Sequence, residues 1–276
     1  MIIQQPNSLF AVNTYSYTLN YSARDCIESL AQKGYREFEL MMYPGHLWPN
    51  TCSKSQRLEL RRLLESNGLV VSTLNMPNID LNIAGASKEM RTYSLENLRS
   101  VIELAGDLGI AGVVLGPGKA NPLLAAPMER LMEHLYYALD ELEPLANDVG
   151  TSLLMENMPF AFLPDIDSLM KALDDYGNNR IGVVYDVANG HFINEVIVDA
   201  IRKSRKRLKV LHLSDTNTSV YRHDTLGLGT VDFEPIPTVL KEIGFTNRPV
   251  LEIISSNPDA DLDDSCKKLY AMGWNK

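Results

Sequence analysis

The stretch Lys209–Thr216, KVLHLSDT, decides the fold because it puts ionisable residues at the end of an apolar strand. Its aliphatic residues are typical of a strand buried in a sheet. His212 lies within the run, and Asp215 follows where the run ends. In parallel barrels the carboxyl ends of the strands carry the active site. The stretch therefore indicates a functional strand end, provided that other strands end in the same way.

Seven other apolar runs of this kind occur along the chain. Each is followed within a few residues by Gly, Pro, Asn or Asp, which is typical of strands. The eight predicted strands are Leu9–Tyr15, Glu37–Met42, Val70–Met76, Gly112–Gly116, Ser152–Asn157, Gly182–Asp186, Lys209–Leu213 and Pro249–Ile254. Helical spacing between them predicts helices at Lys54–Asn67, Lys88–Leu108, Met128–Val149, Asp165–Tyr176 and Glu234–Ile243.

The alternation of strands and helices predicts a parallel sheet. Eight strands in 276 residues give units of the size found in (β/α)8 barrels. A doubly wound open sheet is the main competitor, but no GxGxxG motif follows the first strand. No linker or low-complexity tract divides the chain. We therefore expect an α/β protein with a single (β/α)8 TIM barrel domain over residues 1–276.

Composition and charge narrow the class of function. The chain has 35 acidic and 26 basic residues, a net charge of −9, which disfavours nucleic acid as a partner. No apolar stretch is long enough to cross a membrane. The three cysteines form no CxxC pair, and the first residues lack the pattern of a signal peptide. These features predict a cytoplasmic protein that acts on a small molecule without a membrane partner.

Four consecutive strands, the fifth to the eighth, end in an ionisable side chain. These side chains are Glu156 in LLMENMP, Asp186 in VVYDVANGHF, His212 in KVLHLSDT and Glu252 in VLEII. They should converge at one rim of the barrel. Three carboxylates and an imidazole cannot share a buried site unpaired, and a divalent cation would resolve this. Oxygen ligands with one nitrogen and no thiolate indicate Mn²⁺ first, with Mg²⁺, Co²⁺ or Zn²⁺ as alternatives.

Several short motifs resemble a known family. MENMP, VYDVANGH, VLHLSD, GLGTVDF and VLEI occur in the order found in the xylose isomerase-like TIM barrels. That family includes sugar isomerases, ketose 3-epimerases and the type four AP endonucleases, and the resemblance covers most of the chain. It implies one metal ion held by Glu156, Asp186, His212 and Glu252. It also implies that the two glutamates move protons at the substrate carbon.

The chain departs from two branches of the family. The endonucleases hold three zinc ions with additional histidines, where this chain has Asn75 and Gly116. Their Asp-x-His motif is replaced by YRHDTLGLG, with Tyr221 at the Asp position. The ketose 3-epimerases have a His three residues after the strand-six Asp, where this chain has Asn189. Their substrate-binding Glu after strand five has no counterpart in NMPFAFLP.

The predicted function is a divalent-metal-dependent isomerase or epimerase of a sugar or polyol-derived hydroxy-ketone. A carbonyl and its neighbouring hydroxyl would bind the metal, which would stabilise the enediolate formed by proton loss. Glu156 and Glu252 would act as base and acid, while Asp186 and His212 anchor the ion. A dehydratase or lyase of the inosose or dehydroshikimate type is the alternative on this scaffold. An AP endonuclease and a non-catalytic binding protein are further alternatives.

Other residues near the strand ends are candidates for contact with substrate. Glu39 lies inside strand two and is expected to face the barrel interior. His46 and Trp48 follow that strand, where aromatic packing is the alternative role. Asp215 would either orient the His212 ring or cap the loop after strand seven. The predicted substrate contacts are Asn189, His191, Arg222, His223, Glu39 and His46.

A basic stretch precedes strand seven. RKSRKRLK, Arg202–Lys209, contains six basic residues. Its position puts it at the amino-terminal face of the barrel, opposite the predicted site. Basic residues at the end of a helix complement the helix dipole, so the stretch is interpreted as a solvated helix end. The sequence leaves open whether the chain assembles into a homodimer or a homotetramer.

Overall fold

The computed structural model describes residues 6–76 and 80–274. Its eight parallel strands form a closed barrel in the order β1 to β8. The strands are β1 (Ala11–Asn13), β2 (Glu37–Met41), β3 (Val70–Asn75), β4 (Gly112–Leu115), β5 (Ser152–Glu156), β6 (Gly182–Asp186), β7 (Leu208–Leu213) and β8 (Val250–Leu251). The predicted (β/α)8 TIM barrel is confirmed.

Helices alternate with these strands. Over the described residues they are α1 (Ala23–Gln32), α2 (Lys54–Asn67), α3 (Lys88–Leu108), α4 (Met128–Asp148), α5 (Ile166–Tyr176), α6 (Val187–Phe192), α7 (Ile197–Ser204), α8 (Ile236–Ile243) and α9 (Pro258–Ala271). None of these helices has the length and apolar character needed to cross a bilayer.

Side-chain alternation in the strands positions the site. An apolar cluster takes one side chain from each of six strands, and its members are Ala11, Val114, Leu154, Val184, Val210 and Val250. Successive side chains of a strand point to opposite faces, so the residue two positions further on points inward again, one layer higher. That next layer consists of Glu156, Asp186 and His212 on β5 to β7, and of Glu252 directly after β8.

The lower part of the barrel is closed by tight packing around Leu154. Gly112 and Gly182 lie two residues before members of the apolar cluster, on β4 and β6. A Cβ atom on Gly112 would lie 2.7 Å from one Leu154 methyl carbon, and a Cβ on Gly182 would lie 2.6 Å from the other. Leu154 therefore fills the space that these two glycines leave.

β2 to β5 each end one residue earlier than predicted, and the first and last strands are much shorter than predicted. β1 is flanked by 3₁₀ turns at Pro6–Leu9 and Tyr15–Tyr17, and the side chain of Asn13 accepts a hydrogen bond from the Tyr15 backbone N–H at 2.8 Å. After β8 the chain leaves the barrel, because the Ile254 N–H donates to the carbonyl of His223 in the loop after β7. Glu252 therefore lies just beyond the last strand.

The predicted helices agree with the structure to within two residues. α2 begins after Ser53 in a capping box with Gln56 and ends at Gly68, where φ is 59°. α5 begins one residue later than predicted because Asp165 caps it, accepting from the Ser168 N–H. Four helices were not predicted, α1, α6, α7 and α9. Of these, α6 and α7 have six and eight residues, which is too short for a helical period to be clear.

The basic stretch Arg202–Lys209 leads from α7 into the first residues of β7, as expected for the amino-terminal face. Arg202 pairs with Glu242 at 3.0 Å, in agreement with an exposed helix end. The prediction is wrong for Arg207, whose side chain is buried. Its guanidinium pairs with Asp174 at 2.9 Å and donates to backbone carbonyls between α5 and β6.

Candidate metal centre and active site

Four buried side chains meet at the carboxyl-terminal rim of the barrel. Each offers one ligand atom, and these atoms lie within 4.8 Å of one another: Glu156, Asp186, His212 and Glu252. His212 Nδ1 lies 3.0 Å from Glu156 Oε1, 3.1 Å from Glu252 Oε2 and 3.6 Å from Asp186 Oδ2. The structure therefore brings together the four predicted metal ligands.

Two polar atoms of this cluster have no hydrogen-bond partner among the described residues. They are Asp186 Oδ2 and His212 Nε2. Asp186 Oδ1, in contrast, accepts from the Asn189 N–H at 2.7 Å. A buried carboxylate oxygen without a donor is costly, and a cation would compensate it. The donor set, oxygens with one imidazole nitrogen, fits a divalent ion.

Charge within the cluster is poorly balanced without a cation. Burial raises the pKa of Glu156 to about 7, with Glu252 and Asp186 adding to the shift and His212 opposing it. Burial likewise raises the pKa of Glu252 to about 7. Burial alone would lower the pKa of His212, but Glu39 and Glu252 raise that pKa well above its ordinary value. The carboxylates therefore compete for protons, and a cation would hold them ionised.

Glu39 is a fourth acidic residue in contact with this centre, and it is fully buried. Its Oε1 lies 3.0 Å from His212 Nε2, at hydrogen-bond distance but outside hydrogen-bond geometry. Asn13 and Asn75 donate to Oε1 at 2.6 and 3.0 Å, and Thr73 donates to Oε2 at 2.6 Å. Glu39 is thus fixed in place on the side of the His212 ring opposite Nδ1, in agreement with the predicted inward orientation.

We expect Glu39→Gln to weaken binding of Mn²⁺ by about 10- to 100-fold, because a carboxylate beside a metal-binding imidazole orients the ring and raises its basicity. Titration of the metal-free protein with Mn²⁺ measures the effect. The matched control is Glu96→Gln, an exposed position on α3, which should keep the affinity of the unaltered chain. Equal affinities for the two variants would mean that Glu39 does not support the imidazole.

Asp215 caps the loop after β7. Its carboxylate accepts from the backbone N–H groups of Thr216, Gly227 and Val231 at 2.9, 2.7 and 3.1 Å. None of the polar contacts described for the His212 ring comes from Asp215. Of the two roles predicted for Asp215, the structure supports the loop cap. The carboxylate beside the His212 ring belongs to Glu39 instead.

His223, Tyr221 and Asn189 form a hydrogen-bonded chain beside the cluster. His223 Nδ1 lies 3.0 Å from Ser214 Oγ and 3.4 Å from Glu252 Oε2. Tyr221 Oη lies 2.8 Å from His223 Nε2 and donates to Asn189 Oδ1 at 2.7 Å. All three residues line the central cavity. Tyr221 was not predicted as a site residue, and its only sequence signal was its place in the endonuclease motif.

Four predicted substrate contacts do not line the cavity described for this rim: His191, Arg222, His46 and Glu39. Glu39 lies against the His212 ring instead. His191 Nε2 lies 2.8 Å from Thr230 Oγ1, and Arg222 points outward with a side chain that is 61% exposed. The ring of His46 is buried, with Nε2 2.9 Å from Thr14 Oγ1 and Nδ1 2.7 Å from the Tyr21 carbonyl oxygen. His46 is therefore a buried packing residue, which was the alternative role considered for it.

The cavity opens above the cluster and includes Glu156 and Glu252 in its wall. Loops after β1, β3, β4, β5, β7 and β8 contribute to it. Besides the glutamates, its polar lining includes Tyr15, Asn75, Lys119, Asn189, Tyr221 and His223. The arrangement can hold a small molecule against two carboxylates that are both able to exchange protons.

A closed parallel barrel with its candidate site at the carboxyl-terminal rim defines the class of (β/α)8-barrel proteins. Within that class, the chain belongs to the xylose isomerase-like TIM barrel family, whose sequence profile matches residues 27–272. The family resemblance seen in the sequence is thereby confirmed.

Known relatives include sugar epimerases. L-ribulose-5-phosphate 3-epimerase UlaE of Escherichia coli is 25% identical over 233 residues, which cover 81% of this chain and 78% of UlaE. A D-tagatose 3-epimerase-like protein has the same fold, with a TM-score of 0.81 and 23% identity over 95% of this chain and 96% of that structure. The IOLI protein, solved with a zinc atom, has a TM-score of 0.76 and 17% identity, with 95% of each chain covered.

Proposed function

We propose that this protein is a divalent-metal-dependent epimerase or isomerase of a hydroxy-ketone sugar. The observation that carries the proposal is the convergence of Glu156, Asp186, His212 and Glu252 beside a cavity. One oxygen of Asp186 has no hydrogen-bond partner among the described residues. The sugar epimerases among its relatives support the same class of reaction. Mn²⁺ is the ion to test first.

The four residues of the cluster would hold the ion. A divalent cation there supplies positive charge that stabilises an enediolate and lowers the cost of removing a proton beside a carbonyl. Asp186 is suited to a fixed ligand, since its other oxygen is occupied by the Asn189 N–H. His212 is suited to the same role because Glu39 faces the far side of its ring.

Glu156 and Glu252 would move protons at the substrate carbon. Glu156 ends β5 and Glu252 follows β8, so two strands separate them and they approach the centre from different directions. One group, as a carboxylate, would remove a proton from a carbon, and the other, as a protonated carboxyl, would donate a different proton from the opposite side, which inverts that carbon. Asn13 donates to Glu252 Oε1 at 3.1 Å and would help to orient it.

Turnover in D₂O tests this function. With Mn²⁺ and a panel of ketoses, a true substrate should gain one deuterium at the inverted carbon, as expected when a protein carboxylate exchanges its proton with solvent. Mass spectrometry and NMR of the recovered sugar measure the label and its position. Inversion without solvent label would contradict proton transfer through exchanging carboxylates.

The same assay separates the lyase alternative. A dehydratase would release water and form a conjugated product that absorbs in the ultraviolet, so inosose-type ketones and keto acids belong in the panel. Formation of such a product without epimerisation would replace the proposed reaction with elimination on the same scaffold.

A further inference from the structure

One wall of the cavity is almost entirely apolar. The loops after β3 and β5 contribute Met76, Leu81, Ile83, Met158, Pro159 and Phe160 to the lining. None of these side chains can donate a hydrogen bond to a hydroxyl. Sugar hydroxyls buried against this wall would lose their water partners without replacement, which is unfavourable.

The wall is held in place by hydrogen bonds between loops. The Asn82 side chain donates to the Lys119 carbonyl and accepts from the Lys119 N–H, both at 2.9 Å. The N–H of Phe162 donates to the carbonyl of Gly118 at 3.0 Å, which joins the loops after β4 and β5. A Cβ on Gly118 would lie 2.6 Å from Ala84 Cβ, so the loops pack closely. A preformed apolar wall binds an apolar group without first being ordered.

Phe160 is an unusual member of this wall because it lines the cavity and is still 62% exposed. Its ring centroid lies 5.3 Å from that of Tyr221, at right angles, and 5.9 Å from that of Phe192. Tyr221 in turn contacts His223, which faces Glu252. The aromatic group is therefore continuous with the reacting end of the site and has apolar surface left to cover.

The charges around the cavity do not suit a phosphate. Among the described residues that line it, Lys119 is the only lysine or arginine. Burial lowers the pKa of Lys119, and the nearby carboxylate of Asp80 opposes that shift. The carboxyls of Glu156 and Glu252 lie in the same lining. Phosphate sites depend on arginine or lysine groups and on helix amino termini that converge on the anion.

We propose that the substrate carries an uncharged apolar substituent beside its hydroxy-ketone, and that the wall formed by Leu81, Ile83, Met158 and Phe160 binds this substituent. The inference rests on the proposed function for the reacting end of the substrate and adds the chemical class of the other end. A bare or phosphorylated ketose would leave the wall uncovered.

Calorimetric titration of the Mn²⁺-loaded protein with matched probes tests the inference. The phenyl 3-keto-β-D-glucoside should bind about tenfold or more tightly than the methyl 3-keto-β-D-glucoside, from burial of the ring. D-fructose 6-phosphate should bind no more tightly than D-fructose. Equal affinity for the two glucosides, binding of neither, or preference for the phosphate would overturn the inference.

Two variants locate the effect. Phe160→Ala should reduce the phenyl-to-methyl ratio, and because the side chain is largely exposed the variant should fold. Leu123→Ala, at a 95% exposed leucine outside the described lining, should leave the ratio unchanged. An unchanged ratio in Phe160→Ala would overturn the assignment of this wall. These titrations report binding, while the deuterium assay reports catalysis, so failure of one is distinguishable from failure of the other.

Discussion

Glu156→Gln and Glu252→Gln should each lower kcat by about 10²- to 10⁴-fold, the usual contribution of a positioned acid or base. Each substitution keeps the shape of the side chain but removes its ability to exchange a proton. Both carboxyls lie in the cavity wall, and their nearest oxygens are 3.0 and 3.1 Å from His212 Nδ1. Steady-state kinetics with Mn²⁺ on the substrate found in the ketose panel measures the loss.

The two glutamates are also proposed ligands, so metal content must be measured in each variant. Saturating Mn²⁺ restores any deficit in the ion, and the loss of kcat that remains belongs to proton transfer. Glu103→Gln, at an exposed position on α3, is the matched control and should keep full turnover. Full turnover in both cavity variants would eliminate the proposed mechanism.

His212→Ala should abolish retention of the ion after excess Mn²⁺ is removed, whereas the unaltered chain should retain about one ion. The imidazole supplies the only nitrogen among the four candidate ligands. Without it, the three buried carboxylates lose the imidazole that lies within 3.6 Å of each of them, and their repulsion would also weaken the fold. In the metal-free state we expect the free energy of unfolding to fall by about 3–5 kcal/mol, as when one partner of a buried charge pair is removed.

Elemental analysis of the dialysed protein gives the stoichiometry, and urea unfolding gives the stability. His191→Ala is the control, because His191 contacts Thr230 outside the described cavity lining. Retention of one ion by His212→Ala would mean that the imidazole is not a ligand. Two or three ions in the unaltered chain would favour the multinuclear endonuclease alternative over the proposed function.

The site residues differ in how far sequence reasoning could find them. Glu156, Asp186, His212 and Glu252 each lie at or next to the carboxyl end of an apolar strand, and parallel strands end at one rim. The alternation of side chains along β2 also predicted that Glu39 points into the barrel. Its contact with His212 could not be predicted in this way, because β2 and β7 are not neighbours in the barrel and meet only across its interior.

The directions of loop side chains were predicted less well. Asp215 is three positions from His212 in sequence, but its carboxylate turns to the backbone of its own loop. Arg222 and His223 are adjacent, and only His223 faces the cavity. A loop has no side-chain period, so neighbouring residues carry no information about direction.

The sequence by itself was enough to predict the closed barrel, the family and the four residues at the strand ends. Strand periodicity and short motifs can be read from neighbouring residues along the chain. Only the tertiary structure decided that Glu39 faces the His212 ring, that Tyr221 connects Asn189 to His223, and that an apolar wall lies beside the cluster. These relations join residues far apart in the chain, and they depend on how loops from different strands pack across the rim.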